Sequence, residues 1–160
     1  MNETGEAPQA ALALDAVERE TLLEEIGLFA AHLPDERTRA RYDELHQAVA
    51  QGAVPPEMVG RLETLLDLLL PTGGVRKRHG HEGDQALQRL WQRTPRGAAL
   101  KQAAQEVNEA LSILRGQSLE GVSFSSTPRG HTLSIDTTRC HLTLAIDRDG
   151  VRVERVEVGA

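Results

Sequence analysis

The sequence predicts an α+β protein in which an amino-terminal helical bundle, made of three helices plus a short one, precedes a long helix that backs a four-stranded antiparallel β-meander. Three observations lead to this fold class. Apolar residues recur at helical spacings of three and four up to about residue 115, they alternate with polar residues from Leu119 onward, and tight turn signals separate the alternating segments. Consecutive strands with tight turns form an antiparallel sheet with one apolar face, which the nearest long helix can cover.

Cap residues and prolines divide the first 71 residues into three helices. Asp15 is a good N-cap for the first helix and Asp35 for the second, while the proline pair at 55–56 occupies the start of the third. The connections are short, so the three helices are expected to run up, down and up. The third helix is the most apolar of the chain, with a broad stripe of Met58, Val59, Leu62, Leu65, Leu66, Leu69 and Leu70.

Two further helices and four strands follow. A short helix runs from Asp84 to about Arg93, and Thr94 with Pro95 starts a long helix that extends to about Arg115. The strands are separated by turns at residues 127–130, 137–138 and 147–150. In the last strand the alternation of valines slips by one residue, which predicts a β-bulge near Glu154 and Arg155.

The charge pattern suggests a division of the chain into four segments. Residues 1–71 carry a net charge of −9, residues 72–101 carry +5 and residues 102–160 carry −2, within a total of −6. We therefore predict a flexible tail at 1–12, an acidic helical bundle at 13–71, a basic glycine-rich joint at 72–83 and a helix-backed antiparallel meander at 84–160. The acidic and basic segments can attract one another or face different partners.

The composition narrows the classes of function. Aromatic residues make up 2% of the chain, so the stacking platforms that bind single-stranded nucleic acid are scarce, and a single cysteine, Cys140, rules out an internal disulfide. There is no leader-like segment and no apolar run long enough to span a bilayer, so we expect a cytoplasmic protein without a membrane contact. The strong preference for arginine over lysine is typical of a GC-rich bacterial genome.

The basic joint is the first candidate binding site. Arg76, Lys77 and Arg78 are adjacent and lie between glycines that would let a loop wrap an acidic protein surface or a phosphate. The spacing does not match a P-loop. Pairing of this charge with the acidic helices is the plainest alternative. If the segment instead binds nucleic acid, the phosphate-binding set is Arg76, Lys77, Arg78, Arg89, Arg93 and Arg96.

The third helix is the second candidate. Its stripe carries more leucine than a three-helix unit of this size needs, so an exposed remainder would mark a surface for a protein partner or a homo-oligomer. The residues concerned are Leu62, Leu65, Leu66 and Leu69. The alternative is that the short helix with Leu87, Leu90 and Trp91 covers them.

Signals for metal binding and catalysis are weaker. His79 and His81 have zinc-binding side chains, but nothing fixes a geometry, and we expect no cofactor. A serine hydrolase is not indicated, because the chain has no Gly-x-Ser-x-Gly elbow and strand alternation separates His131 from Ser134 and Asp136. The polar outer face of the meander is expected to be solvated.

One short pattern resembles a known family. Arg41 and His46, separated by four residues within a helix, resemble the Arg-x4-6-His pattern of HEPN ribonucleases, all-helical domains in which the pair sits across a dimer. The resemblance implies a ribonuclease, but a β-meander is foreign to that family. The sequence therefore favours a non-enzymatic adaptor or accessory subunit, with nucleic-acid binding as the alternative and a metal-dependent or HEPN-like ribonuclease third.

Overall fold

The computed structural model describes residues 10–159 and confirms the α+β class. By its internal contacts the chain divides between Arg96 and Gly97 into a helical unit and a sheet unit. The elements of the described part are β1 (Leu12–Ala13), α1 (Ala16–Ala31), α2 (Glu36–Ala50), β2 (Ala53–Val54), α3 (Pro56–Leu69), α4 (Gly74–Arg93), α5 (Pro95–Ser112), β3 (Leu119–Thr127), β4 (Gly130–Thr137), β5 (Cys140–Asp147) and β6 (Gly150–Val158), with a 3-10 turn at Leu70–Thr72.

The first three helices of the helical unit begin where the sequence predicts. Asp15 forms a capping box with Glu18, in which each side chain accepts a hydrogen bond from the other residue's backbone N–H. Asp35 accepts from the N–H of Thr38 at 2.7 Å, and Pro56 opens α3. The core combines stripes from all four helices and includes Leu22, Ile26, Leu45, Val49, Leu62, Leu65, Leu66, Leu87 and Leu90, each fully buried.

The joint at residues 72–83 is the largest departure from prediction. Instead of a loop, residues 74–79 form the first turns of α4, and the helix continues to Arg93 after a kink at Gly80. Gly80 has φ 67° and ψ −167°, a backbone conformation that is essentially restricted to glycine. The prediction of a loop was wrong because, after the left-handed Gly73 that precedes the helix, Gly80 is the one glycine of the segment with a non-helical conformation.

The segment boundaries differ as well. Residues 84–93, predicted to begin the meander unit, bury Ala86, Leu87 and Leu90 in the helical unit. Residues 1–9 of the tail predicted at 1–12 lie outside the described residues. At its other end, Leu12 and Ala13 pair antiparallel with Val54 and Ala53 as a two-stranded ribbon that the sequence did not suggest.

The sheet unit is a meander with the strand order β3-β4-β5-β6. Its register places Val122 and Phe124 of β3 on the same face as Ile135 and Leu133 of β4. Helix α5 packs on this face through Val107 and Ala110 against Leu142 and Leu144, as predicted, although it ends at Ser112 rather than near Arg115.

The predicted bulge in the last strand is confirmed. Thr143 of β5 lies opposite Arg155, whereas the next residue, Leu144, lies opposite Val153, so Glu154 is the extra residue. The bulge lets valines on both sides of it face the apolar side of the sheet. Among the described residues, no helix has the length and apolar character that crossing a membrane requires.

Candidate functional site

Part of the positive charge of the predicted basic joint is paired inside the helical unit. Glu25 of α1 is 1% exposed, and its two carboxylate oxygens accept hydrogen bonds from Nε and a terminal nitrogen of Arg78 at 2.7 and 2.6 Å. His79 Nε2 lies 2.9 Å from the same carboxylate. Burial raises the pKa of Glu25, but the hydrogen bonds and positive charge of Arg78 and His79 outweigh it and lower the pKa below its ordinary value.

Two more basic residues of the predicted phosphate-binding set have carboxylate partners. Arg93 donates to the buried Glu18 at 2.6 Å, and Arg96 lies 3.1 Å from Asp67. Asp67 also accepts a hydrogen bond from the indole N–H of Trp91. Within residues 10–159, the members of the set with no ion pair are Arg76, Lys77 and Arg89, and all three are exposed.

The leucines of α3 do not form a free surface. Leu62, Leu65 and Leu66 are fully buried, and Leu69 is partly buried and packs against the same core. Of the two alternatives that the sequence left open for this stripe, the covered one is seen, because α1 and the Leu87/Leu90 part of α4 contribute to the core that encloses these leucines. The exposed leucine of this helix is Leu68, at 53%.

The metal candidates His79 and His81 lie on either side of the kink at Gly80. His79 is engaged with Glu25, while His81 is exposed on the other side of the kink at Gly80. In the described part of the chain, no three His, Cys, Asp or Glu side chains are grouped to hold a metal ion. Arg41 lines a cavity of about 380 Å³ and His46 a different one of about 550 Å³.

A hydrogen-bonded chain lies on the polar face of the sheet. Asp136 is opposite His141, its Oδ1 lies 2.5 Å from Nδ1 of the imidazole, and Nε2 lies 3.1 Å from the hydroxyl of Thr143. The order Asp, His, hydroxyl matches that of a nucleophilic triad. Thr143 is 9% exposed, however, so the hydroxyl that would attack a substrate is shielded within the sheet. The chain links neighbouring strands and offers little access for chemistry.

The clearest anomaly is the exposed apolar surface of strand β3. Val122 is 56% exposed and Phe124 60%, although both lie on the face that α5 covers at its centre. A helix is about 10 Å wide, whereas the outer strands of a four-stranded sheet are about 14 Å apart, so one helix cannot cover all four strands. Val156 and Val158 of the opposite outer strand are also exposed, at 38% and 65%.

The two outer strands differ in how they protect their edges. Strand β6 carries Arg152, Glu154, Arg155 and Glu157 and contains the bulge, and charges and bulges of this kind discourage pairing with another strand. Strand β3 has one charged residue in nine, Glu120, located at the irregularity between Leu119 and Gly121. From Gly121 to Thr127 its edge is regular, uncharged and free of proline.

Sequence patterns placed Val122 and Phe124 on the apolar face but did not identify them as a site. The comparison of helix width with sheet width would have shown that an outer strand stays uncovered. No protein-family model, no curated protein and no solved structure matches this chain. Its function is therefore inferred from its own residues, among which the β3 edge is the best-defined candidate for binding.

Proposed function

We propose that this protein is a non-enzymatic adaptor or accessory subunit that acts in the cytoplasm by binding a protein partner along the edge of β3. The observation that carries the proposal is the coincidence, on one outer strand, of an open backbone edge with two apolar side chains, Val122 and Phe124, that are more than half exposed. A strand added there would gain backbone hydrogen bonds and cover both side chains.

The alternative use of the same strand is purely structural. An outer strand that only closes the sheet has no need of apolar side chains on its uncovered part, and natural outer strands usually carry charge or proline. Strand β6 has that protection and β3 does not. The contrast within one sheet supports a binding role for β3.

A matched pair of substitutions tests the proposal. Phe124→Lys places a charge on the open edge, while Leu68→Lys places the same charge at a similarly exposed leucine of the helical unit. We expect tagged wild-type protein and Leu68→Lys to retain the same bound proteins from the native cell, and Phe124→Lys to lose them by about tenfold or more. Equal retention by all three would contradict the proposal.

A second candidate function is binding of nucleic-acid phosphates. Its support is the exposure of Arg76, Lys77 and Arg89, which have no ion pair within residues 10–159. Retention on nucleic acid at about 150 mM salt, lost in Arg76→Ala/Lys77→Ala, would favour it, and no binding at low salt would eliminate it. For the third candidate, ribonuclease or metal chemistry, His79 is engaged with Glu25, and among the described residues no three His, Cys, Asp or Glu side chains are grouped to hold a metal ion.

A further inference from the structure

We infer that the partner of the β3 edge is the β3 strand of a second copy, so that the two four-stranded sheets join about a two-fold axis into one continuous antiparallel sheet. This inference rests on the proposed function, because it names the partner for the same edge. It is carried by the backbone geometry of β3, by the pattern of its side chains and by the unequal protection of the two outer strands.

The backbone groups that point away from the sheet can be assigned. Thr127 and Gly130 are directly opposite each other across a two-residue turn and so form a hydrogen-bonded pair. Hydrogen-bonded and non-hydrogen-bonded pairs alternate along an antiparallel ladder, so Gly121, Ser123 and Ser125 bond to β4. The N–H and C=O groups of Val122 and Phe124 therefore point toward the open edge.

One register of self-pairing uses these groups fully. If the two-fold axis passes beside Ser123, Val122 lies opposite the partner's Phe124, and Phe124 lies opposite the partner's Val122. Both are then hydrogen-bonded pairs, and all four apolar side chains lie on the same face. The neighbouring register, with the axis beside Phe124, replaces these pairs by one Phe–Phe and two Val–Ser contacts.

Charge does not oppose this register. The one charged residue of β3, Glu120, lies across from the partner's Ser126 rather than from a second glutamate. Like charges directly opposite each other would destabilise a strand pair. The short uncharged segment around Ser123 is thus complementary to itself, which an isologous two-fold contact requires.

The protected edge of β6 limits the assembly to two copies. Pairing of β3 with β6 of another copy would be a head-to-tail contact that leaves new edges free and grows without limit. The bulge at Glu154 and the charges of Arg152, Arg155 and Glu157 discourage it. With one outer strand open and the other protected, self-pairing of β3 closes at the dimer.

The contact is small, so the dimer should be reversible. A nine-residue strand is about 30 Å long, and with a depth of about 10 Å it would bury about 300 to 400 Å² per copy, below the roughly 800 Å² of a standard interface. We expect dissociation in the micromolar range. Sedimentation or light scattering from about 1 to 500 μM protein should show the mass rising from 17.5 kDa toward twice that value.

Phe124→Lys should weaken this self-association by about tenfold or more, and Leu68→Lys should leave it unchanged. A cysteine cross-link tests the register. In a Cys140→Ala background, Ser123→Cys places two thiols on the axis with Cα atoms about 4.5 Å apart, within the range of a disulfide. Ser125→Cys, on the same strand and face, places them about 14 Å apart. We expect oxidation to cross-link the first variant and not the second.

The outcomes separate this inference from the proposed function. A strict monomer at every concentration, larger assemblies without a dimer plateau, or equal cross-linking of the two cysteine variants would overturn it. A monomer whose other bound proteins are still lost only in Phe124→Lys would refute self-pairing and leave the proposed function standing. Retention that is identical in Phe124→Lys and Leu68→Lys would refute the proposed function itself.

Discussion

Leu62 of helix α3 is fully buried, whereas Phe124 of strand β3 is 60% exposed, although each belongs to the apolar stripe of its element. For charged side chains the burial is reversed between the two units. The helical unit encloses Glu18 and Glu25 at 2% and 1% exposure, while the charged residues of β6 in the sheet unit are exposed. In the helical unit, buried carboxylates are part of the internal structure, whereas the sheet unit leaves apolar side chains exposed on its outer strands.

This contrast bears on the two surfaces that the sequence offers for binding, the basic segment and the leucines of α3. The sequence left open whether the basic segment is free or paired internally, and whether the α3 leucines are partly exposed or covered. Buried carboxylates on α1 hold Arg78 and Arg93, and the leucines are enclosed. Carboxylates of the opposite sign on a neighbouring helix thus pair with part of a dense run of charge that sequence alone offers as a binding surface.

A strong effect on the helical unit is expected at Arg78. Arg78→Met should lower the free energy of unfolding of the helical unit by about 3 kcal/mol, because Glu25 would remain buried with only His79 beside it. Arg76→Met is the control, since Arg76 is exposed, and should change it by less than about 0.5 kcal/mol. The one tryptophan of the chain, Trp91, lies in this unit and reports its denaturant unfolding by fluorescence. Equal effects of Arg78→Met and Arg76→Met would contradict the conclusion that the ion pair of Arg78 with Glu25 stabilises the helical unit.

A smaller effect is expected at the contact of α1 with α4. A methyl group added at Gly83 would lie 2.4 Å from Cβ of His79 and 3.3 Å from the hydroxyl of Thr21. Gly83→Ala should therefore destabilise the helical unit by about 1 to 2 kcal/mol. Gly27→Ala in α1 meets no atom within 4 Å and should stabilise the unit by up to about 1 kcal/mol. If Gly83→Ala stabilises the unit as Gly27→Ala does, the close contact expected between residue 83 and His79 is absent.

How much of this the sequence could predict depends on the range of the interactions. Helix starts at Asp15 and Asp35 and the bulge at Glu154 follow from local patterns, and all three were predicted. The helical conformation of residues 74–79 was not predicted, because Arg78 and His79 bond to Glu25, which lies more than 50 positions earlier in the chain. The local sequence, which is rich in glycine, does not indicate that such a distant partner exists.

The candidate site was predictable only in part, because the face on which its residues lie is a local property, whereas their exposure depends on distant parts of the chain. Alternation placed Val122 and Phe124 on the apolar face, and the register confirms it. Whether a residue on that face is covered depends on where the axis of α5 crosses the sheet, which no short segment of sequence determines. The width of one helix against four strands nevertheless predicts that some outer strand must remain open.

Acid provides a third way to test the contrast. The pKa of Glu25 is lowered in the folded state, so the unfolded chain binds more protons and the stability from this group is present above the ordinary glutamate pKa of about 4.3. It is lost as the pH falls through that value toward the lower folded pKa. Urea unfolding followed by Trp91 fluorescence should show this loss between neutral pH and pH values below about 4. Glu25→Gln should flatten the dependence, and an unchanged slope would contradict the role of Glu25.

The smallest expected effect on folding is at Phe124 itself. Because its side chain is more than half exposed, Phe124→Ser should change the stability of the sheet unit by about 0.5 kcal/mol or less in dilute solution. Leu142, fully buried on the same face, is the control, and Leu142→Ala should cost about 2 to 4 kcal/mol. Hydrogen exchange of the β5 amides measures both. If Phe124→Ser is as costly as Leu142→Ala, Phe124 serves the fold rather than a partner, and the distinction between the two units is lost.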